Sequence, residues 1–92
     1  MNMKIKKRNS RLENFNVEKI NASVLRACEG IVGVSPSEIV LDAQLQLYDK
    51  IPTAEIDKAL IFSAREKIEK EPNYSYAAAR LLLNCLYKEV FK

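Results

Sequence analysis

The sequence predicts a mainly helical domain, a four-helix bundle capped by a short N-terminal β-hairpin or small β-sheet. Three observations carry this expectation. Apolar residues recur at helical spacing in four blocks, and the blocks are separated by Gly30 and Gly33, by Tyr48 to Pro52, and by Glu71-Pro72-Asn73. The first fifteen residues instead form short runs about an Arg8-Asn9-Ser10 turn. The chain of 92 residues, 48% of them hydrophobic, is sized for one domain with a real core. The cap is placed at about 3–15 and the helices at about 16–31, 35–48, 53–70 and 73–91, within a single domain spanning 1–92.

Ile5 to Lys7 and Arg11 to Phe15 read as two strands. Asparagine tolerates the positive φ of a turn, although Asn-Ser is a weaker signal than Asn-Gly. An isolated hairpin is marginal in water and has to lie on something. Asn16 is a good N-cap for the first helix, whose stripe is Val17, Ile20, Val24, Ala27, Cys28 and Ile31; Gly30 and Gly33 stop it.

The second helix opens with Ser35-Pro36-Ser37-Glu38, a capping box with proline at the first helical position. The segment VLDAQLQLY that follows also alternates with period two, which a strand would satisfy; the box and the length favour a helix. The third helix opens at Thr53, with Glu55 and Asp57 near its positive end and Ile56, Ala59, Leu60, Ala64 and Ile68 on one stripe. Pro72 ends that segment. The fourth helix contains YAAARLLLNCLY, apolar almost all round, which predicts a helix with neighbours on every side.

Composition narrows function by exclusion. There is no histidine, the commonest general base and a common metal ligand. No glycine-rich loop precedes a helix, and no carboxylate pair is spaced for acid–base work. Cys28 and Cys85 match no metal spacing and sit on apolar helical stripes, so two buried thiols in an intracellular, cytoplasmic protein are expected. Neither catalytic residues nor a protein-held metal is expected. No apolar run approaches the roughly 18 residues that span a bilayer, and no h-region follows the basic N-terminus, so neither a membrane partner nor a secretory signal is expected.

Charge is more informative. Residues 1–11 carry Lys4, Lys6, Lys7, Arg8 and Arg11 and no acid, whereas the remainder holds ten bases and twelve acids, a net −2. Such asymmetry points to an anionic partner at one end, with a solvated basic tail as the plain alternative. Lys19, in the first turn of the first helix, opposes the helix dipole at a cost of roughly a few tenths of a kcal/mol. An anion at that terminus reverses the sign, because free N–H groups, dipole and ammonium all favour it. Lys7 and Arg8 could face the same point, making a triphosphate site reasonable; otherwise Lys19 points to solvent beside Glu18.

The run Lys7-Arg8-Asn9-Ser10, then Glu13-Asn14-Phe15-Asn16, then Lys19-Ile20, resembles the opening of the ATP-cone, the allosteric nucleotide-binding domain of ribonucleotide reductases. Tyr48-Asp49, Ile51, Thr53 and Ile56 look like the family's middle segment, and Tyr74-Ser75-Tyr76-Ala77-Ala78-Ala79-Arg80-Leu81 is similar to its end in the aerobic large, catalytic subunit. The resemblance implies a strand cap over a four-helix bundle, with ATP and dATP competing for a site between them, with Mg2+. It implies that ATP sustains activity and dATP inhibits by changing subunit association. The implied partners are the catalytic barrel of a longer parent chain, a radical-generating small subunit and cone-mediated oligomer contacts, with no nucleic acid. The first helix and the second-to-third connection are the candidate contact face.

By position, the resemblance puts the base near Ile5, Glu13, Asn16, Ile20 and Ile56, and the phosphates near Lys7, Arg8 and Lys88. Lys19 and Thr53 would complete the sugar–phosphate end. Two residues depart from the family pattern. Ser10 stands where glycine is usual, and Asp57 stands where some members have histidine near the sugar and phosphate, so it would repel phosphate unless a metal or Lys58 offsets it. Two other readings compete: a helical DNA-binding domain with a basic N-terminal arm, and an interaction module without a ligand.

Overall fold

The computed structural model describes residues 3–7 and 10–90, with side chains through Tyr87; Arg8, Asn9 and the Lys88 side chain lie outside the described residues. In chain order the elements are β1 (Lys4–Lys6), β2 (Leu12–Asn14), α1 (Val17–Cys28), α2 (Pro36–Gln44), β3 (Ile51–Pro52), α3 (Thr53–Glu66) and α4 (Tyr74–Val90). α3 packs on α2 and α4, and α1 packs on the same two helices, which closes a four-helix bundle. The three strands lie in the order β2-β1-β3.

The hairpin has Ile5 opposite Glu13, and it turns where Ser10 N–H donates to Lys7 O at 2.9 Å and Lys7 N–H to Arg11 O at 2.8 Å. A three-residue hairpin loop of this kind closes on a left-handed residue, and Ser10 takes that conformation at φ +69°. Serine here therefore holds a backbone conformation that glycine adopts freely, at a steric cost of about 1–2 kcal/mol. β3 is an addition to the sequence reading. Ile51 and Pro52 pair in parallel with Ile5 and Lys6, turning the hairpin into a sheet.

Three helices stop earlier than expected. α1 ends at Cys28 rather than near residue 31, and Gly30 follows at φ +78°. α2 ends at Gln44 rather than near 48, because residues 45–50 turn back toward the sheet. Lys50 adopts φ +64°, its N–H donates to Lys4 O at 2.8 Å, and Asp49 Oδ1 accepts from Lys4 N–H at 2.9 Å. α3 ends at Glu66 rather than near 70, and turns through Lys70 carry the chain to Pro72. The possible strand over VLDAQLQLY is helix through Gln44.

The capping box forms by half. Ser35 Oγ accepts from Glu38 N–H at 3.4 Å, but the Ser35 N–H donates to the hydroxyl of Tyr74 at 2.8 Å, which ties the start of α2 to the start of α4. Three further bonds cross the bundle. Fully buried Ser63 donates to Ile39 O at 2.9 Å, and Arg80 donates to the carbonyls of Ala27 and Glu29 at the end of α1. The core is Val24, Ile39, Val40, Ile51, Ile56, Leu60 and Leu81 around small Ala27, Ala43, Ala59, Ala64 and Ala77, which let the helices approach closely.

Two expectations about burial are corrected. Cys28 is buried but Cys85 is only half-buried. α4 is covered on one side only, since Tyr76, Leu83, Leu86 and Tyr87 are all more than half exposed. Burial raises the Cys28 thiol pKa, and nearby Arg80 partly offsets the rise. The folded state then keeps the proton that the unfolded chain releases, so stability falls as pH rises past the ordinary thiol value of 9.0.

Two outcomes follow. Ser10→Gly should raise stability by about 0.5–1 kcal/mol, several degrees in a thermal melt, because the removed left-handed strain outweighs the added chain entropy. A thiol-specific disulfide reagent should modify Cys85 rapidly and Cys28 slowly in the native protein, with Cys28→Ser abolishing the slow phase.

Candidate functional site

The sheet lies across the starts of α1 and α3, and a cleft of about 160 Å³ opens beneath it. α1 contributes Asn16, Lys19, Ile20 and Ser23, while α3 contributes Thr53, Ile56, Asp57 and Leu60. Each set has the spacing i, i+3, i+4, i+7, one helical face, so both helices present their first two turns to the same space. The roof is Ile5 and Lys7 from β1 with Glu13, Asn14 and Phe15 from β2. Ile56 and Leu60 are buried and Ile5 and Ile20 half-buried, which makes an apolar slot with polar groups about it.

Nine residues chosen from the sequence therefore come together: Ile5, Lys7, Glu13, Asn16, Lys19, Ile20, Thr53, Ile56 and Asp57. Arg8 and the Lys88 side chain fall outside the described residues. Asn14, Phe15, Ser23 and Leu60 also line the cleft and were not selected. Helical spacing could have found two of them: Ser23 is four residues beyond Lys19, and Leu60 four beyond Ile56.

Among the described residues, the cleft carries charges of both signs. Strand alternation sends Lys4 and Lys6 to the exposed face and leaves Lys7 on the cleft side, so the N-terminal cations do not all converge. Lys7 Nζ lies 3.9 Å from Glu13 Oε1, and the pair is about 40% exposed. Such a contact is worth about 1 kcal/mol at most, so a ligand can replace it cheaply. Lys7 and Lys19 line the cleft together with Glu13 and Asp57. The Lys58 ammonium pairs with Glu55 Oε1 at 3.4 Å.

The two helix starts differ. Asn16 caps α1 by accepting from Glu18 N–H at 3.0 Å, whereas α3 follows Pro52 and has no side-chain cap. The first N–H groups of α3 lack partners within the helix, and the dipole adds partial positive charge there. Among the described residues, no group of three or more acidic or thiol side chains is placed to hold a metal ion. Among these residues, no helix is long and apolar enough to cross a membrane.

The family described as ATP cone domain matches residues 3–89. The chain belongs to the ATP-cone family. Its relatives include the ribonucleoside-diphosphate reductase subunit alpha of Helicobacter pylori, 45% identical over 85 residues, which covers 91% of this chain and 11% of that protein. The ribonucleoside-diphosphate reductase 1 subunit alpha of Salmonella typhimurium is 38% identical over 88 residues, covering 95% of this chain and 12% of the relative. The corresponding Escherichia coli protein is 35% identical over 91 residues, again 12% of its own length. The cone thus spans about a ninth of the length of these relatives. Its four helices and small three-stranded sheet agree with the expected fold class.

Leu60 joins the core to the floor of the cleft and is 4% exposed. Leu60→Ala should cost about 2–5 kcal/mol of stability, read by denaturant unfolding, through lost burial and the cavity left behind.

Proposed function

We propose that the cleft binds ATP and dATP, and that the cone regulates the overall activity of a ribonucleoside-diphosphate reductase large subunit. The observation that carries this reading is the meeting of two helix N-termini, an apolar slot and two lysines at one place. A base would lie between Ile5, Ile20 and Ile56, with Glu13 and Asn16 at its edge. The ribose and phosphates would pass Thr53 and Lys19 toward Lys7, with Arg8 and Lys88 as further cations by position. A volume of about 160 Å³ is below the roughly 300–1,000 Å³ of pockets that enclose a whole drug-sized ligand. The ring end would therefore be enclosed and the phosphates would lie along the open rim, against the uncapped start of α3.

Magnesium would arrive with the triphosphate. Asp57 and Thr53 offer the hard oxygen donors that suit it, and a cation there would also remove the repulsion between Asp57 and phosphate. Bound, the ion supplies charge neutralisation.

ATP and dATP differ by one hydroxyl, which a neutral hydrogen bond distinguishes by about 1 kcal/mol. A difference of that size controls activity only by acting on a nearly balanced equilibrium between assemblies. ATP would favour the active assembly and dATP the inhibited one. Those assemblies would involve the catalytic barrel, the radical-generating small subunit and contacts made by the cone, in the cytoplasm.

Calorimetry with each nucleotide tests the reading. Lys7→Ala and Lys19→Ala should each weaken binding about tenfold or more, the worth of a charge-assisted hydrogen bond, with the melting temperature nearly unchanged. Asp57→Asn should tighten binding in the absence of magnesium. Absence of heat and of any melting shift at millimolar nucleotide would refute the assignment, as would unchanged affinity in both lysine variants.

A further inference from the structure

α4 has two apolar faces, and among the described residues one of them is packed into the bundle. Tyr74, Ala77, Ala78 and Leu81 point into the bundle, whereas Tyr76, Leu83, Leu86 and Tyr87 lie round the other side at 62%, 63%, 51% and 63% exposure. An apolar face of this extent marks an interaction surface rather than scattered exposed leucines. Beside it, between α1 and α4, runs a groove of about 610 Å³ lined by Ser23, Arg26, Arg80, Leu83, Asn84 and Tyr87. Two guanidinium groups and two large apolar side chains share this groove, and no carboxylate lines it among the described residues.

Arg80 spends Nη1 on the carbonyls of Ala27 and Glu29, which leaves other N–H groups of its five-donor fork for a ligand. Arg26 makes no ion pair among the described residues. Both cations suit the negative end of α1, a structural role that accounts for the Arg80 hydrogen bonds. It does not account for the apolar wall formed by Leu83 and Tyr87, which continues to Leu86. A small anion would engage the arginines and leave that wall wet. A segment that is apolar along one side and acidic along its flanks satisfies both.

We propose that the groove between α1 and α4 is a docking site for an acidic amphipathic helix of a protein partner, its apolar anchors on Leu83 and Tyr87 and its carboxylates on Arg26 and Arg80. This is helix-in-groove recognition, in which anchors at i, i+3 or i+4 and i+7 give affinity and the flanking charges give direction. The guanidinium forks hold carboxylates bidentately. Ser23 lines both the groove and the nucleotide cleft, so the two sites share one turn of α1; docking itself does not require an occupied cleft.

A displayed library of random peptides of about 16 residues, enough for four helical turns, is panned on the 92-residue chain without nucleotide. Selected peptides should carry Asp or Glu beside apolar residues at helical spacing. They should bind at least tenfold more weakly to Arg26→Glu and to Leu83→Glu, both substitutions of exposed residues, whose unchanged thermal melts confirm folding. Amide shifts on peptide addition should fall on Ser23, Arg26, Arg80 and Asn84. The proposal is overturned if no peptide is enriched, if selected peptides lack acids, if they bind both variants as well as the parent, or if the shifts map elsewhere. It is equally overturned if millimolar inorganic phosphate competes the peptides off fully, which would make the groove a simple anion site.

Discussion

The burial of Ile51 is the constraint on which the arrangement depends. Strands of three, three and two residues cannot form a stable sheet on their own. Ile51 is 1% exposed, pairs with Ile5 in the sheet and belongs to the bundle core, and α3 begins two residues later. One residue thus pins the roof of the cleft to the start of α3. Lys7 and Glu13 thereby share one cleft with Thr53 and Asp57.

Among the described residues, the cleft built this way carries opposed charges rather than cations alone. Lys7 and Lys19 line it together with Glu13 and Asp57, and what favours a polyanion is the direction of the backbone. α1 and α3 both begin at the cleft, and the dipole and unpartnered N–H groups of α3 are not consumed by a side-chain cap. Fixed peptide dipoles need no reorganisation when a ligand arrives, whereas the half-exposed Lys7–Glu13 pair rearranges at little cost. The rigid part of the site is backbone and the adaptable part is side chain.

The bundle is held by small residues and by polar bonds between helices. Ser63 to Ile39 satisfies a group that burial would otherwise leave costly, while Ser35 to Tyr74 and Arg80 to the end of α1 tie the helices nearer the surface. α4 takes part in two of these and still presents Leu83, Leu86 and Tyr87 outward. α1 lies between the candidate cleft and the groove beside that face, with Ser23 on both. A ligand bound on either side would touch the same helix, through which the proposed sites would be coupled.

Local chemistry made much of this legible. Asn16, Ser35-Pro36 and the acidic start of α3 locate three helix beginnings, and stripes such as Val24-Ala27-Cys28 and Ile56-Ala59-Leu60 give the core faces, because capping and periodicity act within a few residues. Resemblance in three ordered motifs, rather than physics alone, selected nine of the residues that line the cleft. What the sequence left open is set by contacts between distant segments. β3 has two residues and no periodicity, α2 stops at Gln44 because Lys50 must reach Lys4, and the Ser35 N–H goes to Tyr74. Which cations face the cleft depends on strand register, and whether the apolar circumference of α4 is covered depends on how many neighbours the bundle supplies. Long-range hydrogen bonds and packing decide these points, and no window of neighbouring residues contains them.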